Sequence, residues 1–287
     1  MRETELVERI RNLAGSAHRN RGIIKGIGDD CAILRPKPNQ DLVFTTDFVL
    51  EGRHFTLSTH TPAEIGHKAL ARSLSDLAAM GSEPVFCLVS LAAPQNLPPR
   101  WVDNFYKGLL ALANKHKISL AGGDLSQFDK VIADVMCCGR VPKGGAILRS
   151  GALPGDRIFV TGTLGGAAKS LWRRKMEPRV VEGRALRGRA SAGMDLSDGL
   201  SLDLRRLCIE SRVSADLNSS AIPVARGATL EQALHGGEDY ELLFTASPGK
   251  QFPKLPVTHI GVITNGKPGE IRLDGNRLAP KGFDHFA

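Results

Sequence analysis

Apolar residues recur along the chain with the spacing of helices in some segments and of buried strands in others. Glu3–Leu13 carries apolar side chains at helical intervals, which predicts an amphipathic helix. A second helix is predicted from Thr61-Pro62, a cap residue followed by proline, to a stop at Gly81. The same spacing predicts further helices over Trp101–Ala113 and Ala167–Trp172.

Short apolar runs between these helices predict strands. They lie at Leu42–Phe44, Val85–Ala92, Ile118–Ala121, Val131–Val141, Arg157–Thr161, Leu242–Thr245 and His259–Ile263. Strands that alternate with helices predict a mixed α/β protein. The Pro/Gly stretch Gly151–Asp156 indicates a domain boundary. We therefore predict an N-terminal domain over residues 1–149 and a C-terminal α/β domain over residues 150–287.

Composition and charge narrow the function classes. Hydrophobic residues make up 42% of the 287 residues and charged residues 24%, as in globular proteins with a substantial core. The formal net charge of +8 favours anionic partners, either nucleic acid or a phosphorylated small molecule. Basic residues are dense only in Arg173–Arg189, which contains no nucleic-acid-binding motif, and aromatic residues for base stacking are few. We therefore expect a small phosphorylated ligand and no nucleic acid.

Other function classes are excluded by missing sequence signals. No apolar run reaches the roughly 18–20 residues that cross a bilayer, and Met1–Glu5 does not begin a signal peptide. We therefore expect a cytoplasmic protein without a membrane partner. The five cysteines are odd in number and contain no Cys-x-x-Cys, so neither a disulfide framework nor a zinc site is expected. The adjacent Cys137 and Cys138 are predicted to be core residues.

Acidic residues recur on glycine-rich loops next to predicted strands, and this pattern indicates chemistry. The acids in such positions are Asp29, Asp30, Asp47, Asp124, Asp195, Asp198, Glu238 and Asp239. Carboxylates on such loops can converge on one site while the backbone approaches a ligand closely. Their hard oxygen atoms suit Mg²⁺, which would bridge them to the β- and γ-oxygens of a nucleotide.

Each of these acids also has a structural interpretation. Asp beside Gly is a common turn former, so Asp29 could be only a turn residue, and Asp198 could cap the helix that follows it. Asp76 lies inside the second predicted helix at the edge of the apolar stripe, where a carboxylate needs a partner or a metal. Arg149, at the predicted domain junction, is the best candidate for a phosphate contact; the alternative is a solvated loop arginine.

The segment Gly162–Ser170 follows a predicted strand and opens a predicted helix, as a phosphate-binding P-loop does. A P-loop has glycine immediately before its Lys-Ser or Lys-Thr pair, and Ala168 stands at that position. The protein-kinase motif set and the arrangements of nucleophilic catalysis are also absent from the sequence. We therefore expect the nucleotide to be held in another way.

Short motifs follow one another in a defined order along nearly the whole chain. They are Gly26-Ile-Gly-Asp-Asp-Cys-Ala32, Thr45-Thr-Asp47, Gly52-Arg-His-Phe55, Lys68–Gly81, Gly122-Gly-Asp124, Arg149-Ser-Gly151, Asp195-Leu-Ser-Asp-Gly199, Gly236–Leu242 and Lys281–Phe286. In this order they closely resemble the thiamine-monophosphate kinase family. The resemblance implies ATP-dependent, Mg²⁺-assisted conversion of thiamine monophosphate to thiamine diphosphate. It also implies the aminoimidazole ribonucleotide synthetase-like fold, with two α/β domains and dimerisation through the N-terminal one.

The resemblance also implies roles for residues of this chain, motif by motif. The implied Mg²⁺ ligands are Asp30, Thr45, Thr46, Asp47, Asp76, Asp124, Asp195 and Asp198. The implied ATP contacts are Gly123, Asp124, Arg149, Ser197 and Tyr106. The implied contacts to the thiamine phosphate are His54, Glu238 and Phe283. Transfer would be direct and in line, without a general base, because the acceptor phosphate is already anionic.

Two alternatives differ in class. One is a sister ATP-dependent enzyme of the same fold that acts on another phosphorylated acceptor. Selenophosphate synthetase would carry a reactive cysteine before Gly26, whereas the first cysteine is Cys31, and aminoimidazole ribonucleotide synthetase lacks the combination of His54 with Gly236–Tyr240. The other is a metal-binding or nucleic-acid-binding module without turnover. The segment between Leu171 and Gly193 is shorter and more basic than the family pattern implies.

Overall fold

The computed structural model divides the chain into two compact units. It describes residues 3–15, 22–25, 27, 31–171, 173, 175–252 and 254–283. The first unit comprises Met1–Leu77 and Ser82–Gly144, and the second comprises Ala78–Gly81 and Gly145–Ala287. Each contains helices and a β-sheet, which confirms the predicted mixed α/β class. Within the described ranges, no helix combines the length and the apolar character that crossing a membrane requires.

The first unit is built on a four-stranded sheet. Its elements are α1 Glu3–Gly15, β1 Ile23–Lys25, β2 Ile33–Leu34, β3 Gln40–Leu50, α2 Pro62–Ala79, β4 Glu83–Ala93, α3 Pro99–His116, β5 Ser119–Gln127 and β6 Ile132–Pro142. The strand order of the sheet is β3-β6-β4-β5, with β4 and β5 parallel and the other neighbours antiparallel. β1 and β2 form a separate antiparallel pair. This order puts β3 and β5 at opposite edges of the sheet.

The two faces of this sheet are covered differently. Alternate residues of a strand point to opposite faces. On one face Val49 is fully buried, and helix α2 is fixed to that face because the Ser73 hydroxyl donates to the carbonyl of Val135 at 2.7 Å. On the other face Phe44 and Phe48 are 61% and 56% exposed. One face of β3 is therefore core, and the other presents aromatic surface.

Helix α2 begins where the sequence predicts. The Glu64 amide donates to the Thr61 hydroxyl at 3.3 Å, and the Thr61 amide donates to the Glu64 carboxylate at 2.7 Å. This reciprocal pair is a capping box, which satisfies amides at the start of the helix. The helix ends at Ala79, just before Gly81, whose φ of 67° is left-handed. The predicted bounds of this helix are confirmed.

Helices α2 and α3 approach each other closely at two glycines. A Cβ atom on Gly66 would lie 2.0 Å from the carbonyl oxygen of Phe105, and one on Gly108 would lie 2.0 Å from that of Ala63. Only glycine permits this backbone-to-backbone approach. The crossing therefore sets the position of α2, which carries Asp76, against the rest of the first unit.

The second unit is built on a seven-stranded sheet with the order β13-β12-β9-β11-β7-β10-β8. Its elements are β7 Arg157–Thr161, α4 Gly166–Lys169, α5 Val180–Leu186, β8 Ala192–Asp195, α6 Leu200–Glu210, β9 Ser214–Leu217, a 3₁₀ turn Ser219–Ala221, α7 Leu230–His235, β10 Leu242–Ala246, β11 Val257–Thr264, β12 Ile271–Leu273 and β13 Asn276–Arg277. Buried aliphatic side chains, including Leu204 and Leu243, form the main core of this unit. Three stacked or edge-on rings, Phe159, Phe244 and Phe252, pack with centroids 5.0–5.3 Å apart.

Some predicted elements have wrong bounds. β3 continues to Leu50 and β5 to Gln127, so Asp47 and Asp124 lie within strands and not at strand ends. Polar side chains interrupt the apolar run without ending the backbone pairing, which depends on the main chain. The helix predicted over Ala167–Trp172 is only the four-residue α4. A left-handed φ of 51° at Leu171 is incompatible with a continued helix, and Trp172 lies outside the described residues.

Candidate active site

The first unit brings three of the predicted metal ligands together. Thr45 and Asp47 are alternate residues of β3 and share the face covered by α2. The Thr45 hydroxyl donates to the carboxylate of Asp76 on α2. One helical turn earlier, Arg72 extends its guanidinium to within 3.4 Å of the Asp47 carboxylate. The strand and the helix thus place one hydroxyl and two carboxylates at a single, partly buried position.

The carboxyl group of Asp47 has a raised pKa in this cluster. Its pKa is raised from 3.8 to about 6, chiefly by burial and also by the negative charges of Asp76 and Asp134. Arg72 acts in the opposite direction but does not restore the ordinary value. A carboxylate held in this way is stabilised by any added cation.

The donor chemistry of this cluster fits magnesium. Hydroxyl and carboxylate oxygens are the hard ligands that Mg²⁺ takes, and it commonly binds through only one or two carboxylates plus substrate phosphates. Among the described residues, no three His, Cys, Asp or Glu side chains are grouped as a metal site. Asp30, another predicted ligand, lies outside those residues. Asp47, Asp76 and Thr45 are therefore the members of the predicted set that fit the ion together.

The remaining predicted ligands of the first unit lie elsewhere on its sheet. The Thr46 hydroxyl donates to Asp134 at 2.5 Å, on the face opposite to Asp47. Asp124 lies on β5, so two strands separate it from β3, a distance of about 14 Å at ordinary strand spacing. The sheet therefore does not bring Thr46 and Asp124 to the cluster of Asp47 and Asp76, and the roles of these two residues stay predictions. Sequence periodicity locates elements but does not reveal strand order.

Asp134 and Arg72 influence the charge of Asp47, and the sequence interpretation missed both. Asp134 is the only acid in the apolar run Val131–Val141, which is a signal that could have identified it. It pairs in register with Phe48 on β3 and with Ser90 on β4. Arg72 gave no comparable signal, because an arginine on an amphipathic helix is usually a solvated residue.

His54 lies in the turn that follows β3 and is held rigidly. The residue is only 7% exposed, and its Nδ1 atom accepts a hydrogen bond from the Leu50 amide at 2.9 Å. The buried Lys68 donates its ammonium to the His54 carbonyl at 2.8 Å. Because Nδ1 is an acceptor, the neutral ring carries its proton on Nε2. The turn thus presents one defined tautomer.

Two predicted ATP contacts of the first unit occupy constrained positions. Gly123 has a φ of 152°, and a Cβ atom there would lie 1.9 Å from the carbonyl oxygen of Val89. The position therefore requires glycine. Tyr106 is only 2% exposed, and burial raises the pKa of its phenol. Its side chain packs edge-on against Phe105 in the core of this unit, so its contact with ATP stays a prediction.

In the second unit, the loop between β8 and α6 carries Asp195, Ser197 and Asp198. Asp195 is 3% exposed at the end of β8, and Asp198 pairs with Arg206 on α6. The cap position before α6 is Gly199, which has no side chain to accept from the first-turn amides. The Asp203 carboxylate accepts from the Asp198 and Gly199 amides, which precede the helix, at 2.9 and 3.1 Å. The structural interpretation of Asp198 as the cap is therefore wrong, because Gly199 occupies that position and the Asp198 carboxylate pairs with Arg206.

Two predicted substrate contacts are bonded to this same loop. The Glu238 amide donates to the Ser197 carbonyl at 2.7 Å, and the Phe283 amide donates to the Asp198 carbonyl at 3.1 Å. Glu238 has a φ of 55°, which a non-glycine residue adopts only under constraint. The second unit thus gathers Ser197, Asp198, Glu238 and Phe283 in one region.

The glycine segment Gly162–Ser170 is occupied by protein. The Asp239 carboxylate accepts hydrogen bonds from the Gly165 amide at 2.6 Å and the Ala167 amide at 3.1 Å. These amides are the groups that a P-loop offers to phosphate. The structure therefore supports the sequence argument against a P-loop here. Arg149 is exposed, and its carbonyl accepts from the Ser211 hydroxyl at 2.8 Å; its phosphate contact stays a prediction.

Replacing Asp47 by asparagine is expected to stabilise the metal-free protein. A carboxyl whose pKa is higher in the folded than in the unfolded state lowers stability as the pH rises from about 4 to about 6, and its full cost is present above 6. The variant should therefore gain on the order of 1–3 kcal/mol at pH 7.5, discounted for partial exposure. Urea unfolding in EDTA measures this.

The pH dependence provides the control for Asp47→Asn. The gain should shrink below pH 6 and be absent near pH 4, where both proteins carry a neutral side chain. Asp41→Asn, on the same strand, removes an exposed carboxylate that accepts a hydrogen bond from the Gly144 amide at 2.7 Å, and it should not stabilise the protein at pH 7.5. If Asp47→Asn is equally or less stable than wild type at pH 7.5, Asp47 is not a buried carboxylate whose charge Arg72 balances only in part.

Comparison with known proteins finds relatives over nearly the whole chain. Residues 28–141 match the family described as AIR synthase related protein, N-terminal domain. The chain is 36% identical over 303 residues to the thiamine-monophosphate kinase of Buchnera aphidicola subsp. Schizaphis graminum (strain Sg), with 92% of this chain and 93% of that protein covered.

Two solved structures share the fold. The crystal structure of thiamine-monophosphate kinase from Stenotrophomonas maltophilia K279a has a TM-score of 0.85 and 34% identity, with 97% of this chain and 98% of that chain covered. AaThiL complexed with AMPPCP and TMP has a TM-score of 0.82 and 31% identity, with 100% and 99% covered. The predicted aminoimidazole ribonucleotide synthetase-like fold is confirmed.

Proposed function

The chain belongs to the thiamine-monophosphate kinase family, and from this premise we propose that it phosphorylates thiamine monophosphate with ATP. An oxygen of the acceptor phosphate forms a bond to the γ-phosphorus, the bond from that phosphorus to the β,γ-bridging oxygen breaks, and ADP leaves. The whole-chain match to thiamine-monophosphate kinases carries this proposal. It is supported by the relative solved with AMPPCP, an ATP analogue, and TMP. ATP as co-substrate implies a cytoplasmic location.

We assign the metal-holding role to the first-unit cluster of Asp47, Asp76 and Thr45. Mg²⁺, when bound, neutralises negative charge on the phosphates. The protein itself supplies position: Thr45 orients the Asp76 carboxylate, and Arg72 orients Asp47 from the same helix. The raised pKa of Asp47 supports this assignment, because a site preorganised for a cation is strained without one. Asp30, Thr46, Asp124, Asp195 and Asp198 remain predicted ligands.

Acceptor binding is proposed for His54 of the first unit and for Glu238 and Phe283 of the second. The half-exposed ring of Phe283 offers an apolar surface to an aromatic heterocycle, and its backbone is tied to the loop that carries Ser197. No side chain is required as a strong base, since the acceptor phosphate is ionised near neutral pH. Alignment and charge neutralisation would provide the rate enhancement.

ADP release by the purified protein tests the proposed function. We expect release that requires ATP, magnesium and thiamine monophosphate together, that stops on addition of EDTA and that returns with excess magnesium. Other phosphorylated acceptors serve as the comparison. Release with one of these but none with thiamine monophosphate would establish the sister-enzyme alternative. ATP binding without turnover of any acceptor would favour a binding module.

We also propose that the protein is a homodimer formed through the open face of the first-unit sheet. Phe44 and Phe48 present aromatic surface there, and exposed apolar patches of this kind mark interaction sites. A second copy would supply a matching apolar face by two-fold symmetry. Light scattering should give twice the chain mass, and Phe48→Glu should give the chain mass. A monomeric wild-type protein would overturn this proposal.

A further inference from the structure

A buried ion pair in the second unit holds the loop that carries Glu238. The Glu241 side chain is 2% exposed and accepts two hydrogen bonds from the Arg179 guanidinium, one from Nε and one from Nη2, both at 2.6 Å. The Thr161 hydroxyl donates to the same carboxylate at 2.7 Å. The pKa of Arg179 is raised, chiefly by its hydrogen bond to Glu241. Two hydrogen bonds of this kind fix both the position and the orientation of the Glu241 carboxylate.

The surrounding backbone is shaped around the Glu241 carboxylate. A Cβ atom on Gly162 would lie 2.2 Å from a Glu241 carboxylate oxygen, so glycine is needed to make room for it. The Thr161 hydroxyl that donates to Glu241 also accepts from the Leu242 amide at 2.8 Å. Strand β7, strand β10 and the residue before α5 therefore meet at a single carboxylate.

Glu238 precedes Glu241 of this pair in the chain and lies next to a second anchor. Asp239 holds the glycine segment before α4 through the amides of Gly165 and Ala167. Between and beside these anchors the backbone is left-handed at two non-glycine residues, Glu238 with a φ of 55° and Tyr240 with a φ of 50°. Such a conformation persists only when neighbouring contacts enforce it. Release of either anchor would loosen the backbone on the C-terminal side of Glu238 and let its side chain change direction.

We infer that Arg179 is a positioning residue for acceptor binding: it fixes Glu241, and through the strained loop it sets the direction of the Glu238 side chain. The inference rests on the proposed function, since it takes Glu238 as an acceptor contact. It also gives a role to the basic segment that begins at Leu171, whose arginine at 179 is only 23% exposed and points inward. A buried ion pair contributes little net stability compared with apolar packing. We therefore assign the role of this pair to the geometry that it imposes on the loop.

Kinetics and direct binding separate a positioning role from a merely structural one. Arg179→Gln is expected to raise the KM and the calorimetric Kd for thiamine monophosphate about ten- to a hundredfold, because small misplacements of a binding group are costly. The KM for ATP should change less than twofold. Arg179→Lys, which keeps the charge but loses the two-point geometry, should fall between wild type and Arg179→Gln. Arg184→Gln, exposed on α5, is the matched control and should behave as wild type.

A second variant keeps the test decisive if Arg179→Gln does not fold. Asp239→Asn weakens the other anchor and should raise the same acceptor KM and Kd while the protein stays folded. Unchanged acceptor Kd in folded Arg179 and Asp239 variants would overturn the inference, as would a loss of thermal stability and active fraction without any change in KM. Turnover by the wild-type protein tests the proposed function separately. The ratio of variant to wild-type KM and Kd for thiamine monophosphate tests the role of Arg179.

Discussion

Replacing Asp76 by asparagine is expected to lower kcat for phosphoryl transfer about a hundred- to a thousandfold, the range seen when one preorganised electrostatic group is removed. Asparagine keeps a carbonyl oxygen that can accept the Thr45 hydroxyl, so the hydrogen bond between β3 and α2 survives. What is lost is the negative charge that, with Asp47, would hold magnesium. The variant should therefore fold like wild type.

Initial rates at increasing magnesium concentration measure the effect of Asp76→Asn. We expect the magnesium concentration for half-maximal rate to rise together with the fall in kcat, and the circular dichroism spectrum to stay that of wild type. Asp41→Asn, which removes a carboxylate from the same unit outside the cluster, is the control and should keep its activity. Near-normal turnover of Asp76→Asn at low magnesium would show that this carboxylate does not bind the ion.

Replacing Gly66 by alanine is expected to destabilise the protein, although alanine is the better helix former by about 1 kcal/mol. The added Cβ atom would lie 2.0 Å from the Phe105 carbonyl oxygen, which is backbone of α3 and cannot rotate away. Overpacking of this kind costs typically about 1–3 kcal/mol beyond the propensity gain. Displacement of α2 would also move Asp76 relative to Thr45, so activity should fall as well.

Thermal unfolding and turnover together test the effect at Gly66. A loss of about 2 kcal/mol corresponds to a fall in Tm of roughly 4–8 °C for a protein of this size class. Gly15→Ala is the control, because a Cβ atom at Gly15 would meet nothing within 4 Å and Gly15 also ends a helix. An increase in Tm for Gly66→Ala, as helix propensity alone predicts, would show that the two helices do not cross as closely as described.

Local features of the chain were predictable from the sequence. The start of α2 follows from the cap and proline at Thr61-Pro62, and the bounds of β7 coincide with the predicted strand Arg157–Thr161. The rejection of a P-loop followed from one residue, Ala168, and the contact of Asp239 with the glycine segment supports it. The order of the motifs predicted the family. All of these depend on residues that are neighbours along the chain.

The sequence by itself determined the helices of the first unit, most strands, the fold class and the family, because residue spacing, caps and motifs can be read directly along the chain. Only the tertiary structure decided which acids meet: Asp76 joins Thr45 from 31 residues away, Asp124 stands on the far edge strand, and Arg179 reaches Glu241 across 62 residues. The physical reason is that strand order and helix placement arise from packing between distant segments, and a side chain's charge state depends on the neighbours that packing brings to it.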